Sequence, residues 1–310
     1  MSVSLSLSGT TKLPTRRRRR VDLLPYLLAL PLALYLGAVL LFPIARGVLN
    51  SFLGIDFLAP EQGKFVGLRN YDRMVHDPAF WHAIAITLVY TVLVVCSVLI
   101  IATGMALLVN RPFKGRLLAR GLITLPWAFP EVAAVLLWLW MFNQQYGILG
   151  LVARTLHLTS GNTPWLIDPN WAMLSLIMMT VWKIFPFYTL IILTALQTVQ
   201  QELYEAAKID GANPVQSFFA ITLPGIMPVF GILTLLVTIW SLQRFTSIWL
   251  LTGGGPANAT ETIAINVYNQ AFRFHDLGYG STLGVVGLLL SLSVAALYFV
   301  SERRFGTGEV

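Results

Sequence analysis

Residues 23–44 run for 22 positions without a single charged side chain. About 20 such residues cross the roughly 30 Å hydrocarbon core of a bilayer as a helix. Five more predominantly apolar stretches follow, at about 84–109, 117–142, 171–195, 218–251 and 283–300. No water-facing fold can bury six of them. Only 11% of the residues are charged, where a soluble domain carries about a quarter. The alternating ten-residue pattern of a membrane β-barrel is missing. The sequence therefore predicts an all-α integral membrane protein of six transmembrane helices, a single membrane domain over 21–310 behind a basic tail at 1–20.

The tail ends in "RRRRR" at 16–20, as the charged start of a secretory signal would. The apolar run after it is too long for a signal core of about 7–15 residues, and no small-residue cleavage site follows. We read it as an uncleaved first span. Lysine and arginine set the orientation. One set of alternate segments holds six (1–20), four (111–120), one (199–214) and two (302–310), thirteen together. The other set holds three (51–81), one (143–169) and one (253–279), five together. Both termini are expected in the cytoplasm. The net charge of +7 then concerns orientation and the lipid bilayer, with no nucleic acid implied.

The lone Cys96 forms no internal disulfide, and the four histidines lack metal-ligand spacing, so no metal site is expected. The chain shows no G-x-x-x-x-G-K-[ST], G-x-S-x-G, H-E-x-x-H or C-x-x-C. No catalytic site and no cofactor is expected on it. Work against a gradient would draw on an ion gradient or a partner chain. One weak repeat stands out: "LPWAFP" (125–130) and "LPGIMP" (223–228). Proline pairs free backbone groups, which membrane helices tolerate only inside protein or beside water, and paired breaks suit a transport cavity. Ordinary kinking is the alternative.

"QELYEAAKIDGANPVQSFFAITLP" (201–224) interrupts this apolar chain. Leu203, Ala206 and Ala207 share one helical face, shallow enough for close approach. Glu202, Glu205 and Asp210 edge it with negative charge. Gly211 fits the left-handed position that ends a helix. Asn213, Pro214 and Gln216 fit the N-cap, first turn and capping box of the next. Bilayer-surface helices are basic and carry bulky anchors; this one is acidic and alanine-rich, so a partner-docking element fits better.

The same residues carry a family resemblance. Glu205, Ala206, Ala207, Asp210, Gly211, Ala212, Phe218, Ile221, Leu223 and Pro224 reproduce E-A-A-x-x-D-G-A, an aromatic spacer and I-x-L-P. This resembles the signature of permease subunits of binding-protein-dependent ABC importers. "LPWAFPEVAAVLLWLWMFNQQYGILG", "VWKIFPFYTLIILTALQTVQQELYEAA" and "SIWLLTGGGPANATETIAINVYNQAF" resemble the sugar branch that contains the maltose and trehalose permeases. The resemblance covers most of 80–305. It implies the type I, MetI-like permease fold in a bacterial inner membrane. It also implies a second permease subunit in a heterodimer, two ATP-binding subunits that hold the ATP and magnesium, and an extracytoplasmic sugar-binding protein. The segment at about 201–213 would be the coupling helix, and a disaccharide such as trehalose or maltose the cargo.

A sugar site needs aromatic faces for rings and polar groups for hydroxyls. Trp127 and Glu131, four apart, are expected on one helical face. Thr180, Lys183 and Ile184 share another, and Trp240, Ser241 and Arg244 a third, with Gln243 alongside. By the resemblance, Trp127, Glu131, Thr180, Ile184, Trp240 and Ser241 match sugar contacts of the maltose permease. Glu131 departs from that pattern, which has a small polar residue there. Intramembrane charges cost roughly 2.5–3.5 kcal/mol each, so Glu131 pairing with Lys183 or Arg244 is a structural alternative. The loop "LTGGGPANAT" (251–260), with Gly253, Gly254, Gly255 and Pro256, would by resemblance face the binding protein; a plain flexible tip is the alternative. Two rival functions stay open: a secondary transporter with Glu131 as coupling carboxylate, and a membrane scaffold that transports nothing.

Overall fold

The computed structural model describes residues 24–157 and 163–305. The basic tail and the first residue of the first expected span lie outside them. The chain divides into two units, 1–46 and 47–310. In the first, α1 (Leu24–Leu36) runs through a wide π turn, Gly37–Leu41, into α2 (Phe42–Asn50), which crosses the boundary. Its large side chains from Leu27 to Ile44 are exposed.

The second unit begins with a small antiparallel pair, β1 (Leu53–Gly54) against β2 (Lys64–Phe65). The Asn70 amide, on α3 (Arg69–His76), donates to the Ser51 and Leu53 carbonyls at 3.0 Å each and pins this pair. Asp77 caps α4 (Pro78–Asn110), accepting from the Ala79 N–H at 2.9 Å with Pro78 in the first turn. Next come α5 (Arg116–Ala128), α6 (Glu131–Met141), α7 (Ile148–Thr155) and α8 (Pro169–Leu196), the last capped by Asp168. The chain finishes with α9 (Gln201–Ile209), α10 (Pro214–Ser217), α11 (Leu223–Leu242), α12 (Thr246–Leu251), α13 (Ile263–Tyr268) and α14 (Leu277–Phe305).

Helices α4 and α8 form the centre. Tyr90, Val94, Val98, Ala102 and Ala106 recur every four residues along α4 and are fully buried, which is the stripe a membrane helix needs against close neighbours. They pack on Leu176, Tyr188 and Ile192 of α8 and Leu233 and Val237 of α11. A second cluster joins Met74 and Phe80 to Ile263, Tyr279 and Leu283. Arg73 laces it: its Nη1 meets Asp276 Oδ2 at 2.6 Å and its guanidinium lies 3.9 Å above the Tyr279 ring. The Tyr279 hydroxyl donates to Asp77 Oδ2 at 2.6 Å.

Five helices are long and apolar enough to cross a membrane, and a sixth span exists if α5 and α6 count as one. That pair corrects the continuous helix expected at 117–142: it bends by 94°. The residue before a proline is driven out of helical geometry, and Phe129, before Pro130, sits at φ −62°, ψ 140°. The second proline pair behaves differently. Pro224 and Pro228 both lie in α11, whose span runs unbroken from Pro214 to Leu242. A π turn at Phe218–Thr222 widens the backbone where the Pro224 ring would meet the Ala220 carbonyl. The fifth expected span also ends early, at Leu242, and α12 starts separately at Thr246.

Candidate functional site

The bend between α5 and α6 organises the polar centre of the bundle. It parts Trp127 from Glu131, so these two do not share one helical face as their spacing predicted. Trp127 closes α5 and Glu131 opens α6. The break also frees the Trp127 carbonyl, which accepts from Lys183 Nζ at 2.7 Å. Lys183 reaches it from the middle of α8 and is buried. Arg244 lies just beyond the end of α11, so it does not extend the helical face of Trp240 and Ser241. Its Nη1 meets Glu131 Oε1 at 3.1 Å, with side-chain exposures of 12% and 38%. A cleft of about 310 Å³ opens on Glu131, Trp240, Gln243, Arg244, Phe245 and Thr246.

Aromatic rings line the same region. Trp127 stacks on Phe187 at 5.7 Å and 24°, and Phe187 meets Trp240 at 5.8 Å. Trp127 and Trp240 are 50% and 45% exposed, and Trp240 lines the cleft. Sequence reading missed Phe187, although "FPFY" was in view; its role depends on two neighbours from other helices. Thr180 and Ile184 are buried rather than open to the cleft, and the Thr180 hydroxyl pairs with that of Tyr90 at 3.0 Å. Ser241 is buried, and Gln243 Nε2 donates to Ser291 at 3.3 Å.

The Arg244–Glu131 pair sets one prediction. Breaking a buried pair costs roughly 3–5 kcal/mol; Glu131 is partly open, so Arg244→Met is expected to cost about 1–3 kcal/mol. Glu131→Gln in the same chain should restore part of the loss. Thermal unfolding of the four proteins of this cycle measures it, and strict additivity would show that the pair is idle.

A second candidate region is α9 and its turn. Gly211 sits at φ +80°. The Gly211 and Ala212 N–H groups donate to the Lys208 and Ala207 carbonyls, the double bond pattern that closes a helix at a left-handed residue. Asn213 and Gln216 form a reciprocal capping box opening α10. Tyr204 ties α9 to the π turn through Thr222 at 2.9 Å. Leu203, Glu205, Ala206 and Asp210 are exposed and Ala207 half-buried. Ile209 is 86% exposed, and Val215 and Phe219 are open as well. These three apolar groups escaped the sequence reading because nothing local marks a hydrophobic residue as uncovered.

The glycine loop is folded. Gly253 and Gly254 take φ +61° and +90°. Thr260 donates to the Gly255 carbonyl at 2.7 Å, and Gly254 is packed so that a Cβ would lie 3.0 Å from Ile265. The Gly255–Pro256 bond is cis. The exposed tip is Ala257–Asn258.

Residues 97–307 match the family described as "Binding-protein-dependent transport system inner membrane component". The sulfoquinovosyl glycerol transport system permease protein SmoG of Agrobacterium fabrum is 37% identical over 89% of this chain and 89% of its own. The trehalose/maltose transport system permease protein MalF of Thermococcus litoralis is 35% identical over 95% and 97%. Among solved structures, a chain of a bacterial ABC transporter importing the acidic polysaccharide alginate superposes with a TM-score of 0.79 over 92% and 96%, at 22% identity, which speaks to the fold. With the family profile covering more than half of the chain and two relatives matching nearly all of it, the chain belongs to the inner membrane components of binding-protein-dependent transport systems.

Proposed function

We propose that this protein is a permease subunit of an ATP-driven sugar importer and forms half of the pathway. The observation that carries this is its relation, along almost the whole chain, to permeases named for sugars. The geometry agrees. Trp127, Phe187 and Trp240 supply ring faces beside a polar cleft. Helix α9 with its capped turn presents uncovered apolar side chains beside Glu205. In this reading α9 is the coupling helix seated in an ATPase subunit, ATP and magnesium are held by that partner, and both termini lie in the cytoplasm. A second permease subunit completes the pathway, and the 253–256 region faces an external binding protein.

Alternating access then follows. Closure of the ATPases moves α9, the cavity opens outward for the sugar, and hydrolysis turns it back. A secondary transporter is less well supported: Glu131, its coupling carboxylate, is engaged by Arg244. The test is ATPase activity of the co-purified complex in nanodiscs, with binding protein and a sugar panel. Sugar-stimulated hydrolysis that Glu205→Lys abolishes, with assembly intact, is expected. Protonophore-sensitive uptake by the lone chain would overturn the reading.

A further inference from the structure

The polar centre contains two cations and one carboxylate. Glu131 is engaged by Arg244, while Lys183, which lies in electrostatic range of both, donates to a neutral carbonyl. Tyr90 and Tyr188 are the other titratable groups facing Arg244, and both are neutral phenols at physiological pH. Counted in their ordinary ionised forms, these groups leave one positive charge over in a region where uncompensated charge is costly.

The hydrogen bonding leans the same way. Among the described residues, Arg244 Nε, the Ser241 hydroxyl and the Tyr188 hydroxyl are buried without a partner. Lys183 has three N–H bonds, and one of them reaches the Trp127 carbonyl. The centre holds cationic N–H groups without an acceptor, beside two hydroxyls that can donate or accept. A neutral sugar hydroxyl could accept such bonds, but it leaves the charge where it is. A carboxylate, sulfonate or phosphate answers both, and an ionised acceptor strengthens each bond.

We infer that the transported solute is an acidic sugar, whose anionic group is received by Lys183 and Arg244 while Trp127 and Trp240 face its ring. This rests on the sugar-importer reading above and narrows it. A trehalose-like cargo has the ring but not the charge.

The test is equilibrium binding to the complete complex in nanodiscs without the binding protein, which removes that protein's own selectivity. Matched pairs are compared, such as cellobiouronic acid with cellobiose and glucuronate with glucose. The acidic member is expected to bind about ten- to hundredfold more tightly, the span of one or two charge-assisted contacts. Lys183→Met is expected to collapse that ratio and Lys183→Arg to keep it; a merely structural lysine would weaken both members alike. Equal binding of the pair, or preference for the neutral member, overturns the inference alone. A preference that survives Lys183→Met and Arg244→Gln overturns the assignment to these residues. Binding of neither series while the ATPase subunits remain attached overturns the sugar reading together with it, and loss of the ATPase subunits themselves sinks the importer reading.

Discussion

Ile209→Asp is expected to release the ATPase subunits from an otherwise intact membrane protein. Ile209 is 86% exposed at the end of α9, so the fold itself loses almost nothing with it. In the proposed complex that side chain is covered by a partner. Burying an isoleucine contributes roughly 1.5–3 kcal/mol, and a carboxylate placed in the same cleft adds a desolvation cost. Since about 1.4 kcal/mol is tenfold in affinity, co-purification should fall by at least about tenfold. Leu203→Asp, on the same helix and also exposed, should behave alike. Unfolding temperature of the isolated chain is the control and should stay put. Retention of the ATPase subunits by both variants would remove α9 as the docking helix.

Gly278→Ala is expected to do the opposite: damage the fold and leave docking alone in whatever fraction survives. A Cβ at Gly278 would collide with the Leu53 carbonyl oxygen and press on the Ile55 nitrogen at 3.2 Å. Both are backbone atoms, and neither can swing away. The Gly278 N–H also donates to the Ile55 carbonyl at 3.3 Å, so the start of α14 cannot back off without losing that bond. Forced overpacking costs roughly 1–3 kcal/mol, and this contact belongs at the upper end. The check is thermal unfolding in detergent beside Gly284→Ala, where a Cβ meets nothing within 4 Å. Equal melting of the two variants would show that the 51–55 segment gives way.

Much of this was legible in the sequence, for identifiable reasons. The spans were visible because hydrocarbon length is fixed and apolar runs register it directly. The turn after α9 was visible because Gly211, Asn213, Pro214 and Gln216 act through their own local backbone. What could not be read was how contacts between distant segments are settled. The rule for residues preceding proline holds at Phe129 and yields at Met227, which stays helical before Pro228; the packing around each decides. The cost of intramembrane charge pointed to a partner for Glu131, Lys183 or Arg244, and only the fold chooses Arg244, 113 positions away; the pairing of Arg73 with Asp276 spans 203 positions, and no local pattern announces it. Spacing placed Trp127 beside Glu131 on one face, and the bend moved them to different helices.

The row formed by Trp127, Phe187 and Trp240 has a kinetic meaning. Its rings follow one another at 5.7 and 5.8 Å. Contacts between a ring face and C–H bonds are weak singly and undemanding in direction. A solute resting on such a row meets a succession of shallow wells of similar depth, with low barriers between neighbours. The rings' own contribution along the row is nearly level, so any lasting hold on the solute comes from the charged groups beside it. For a conduit that is an advantage: the aromatic strip keeps the cargo in line and adds no trap of its own.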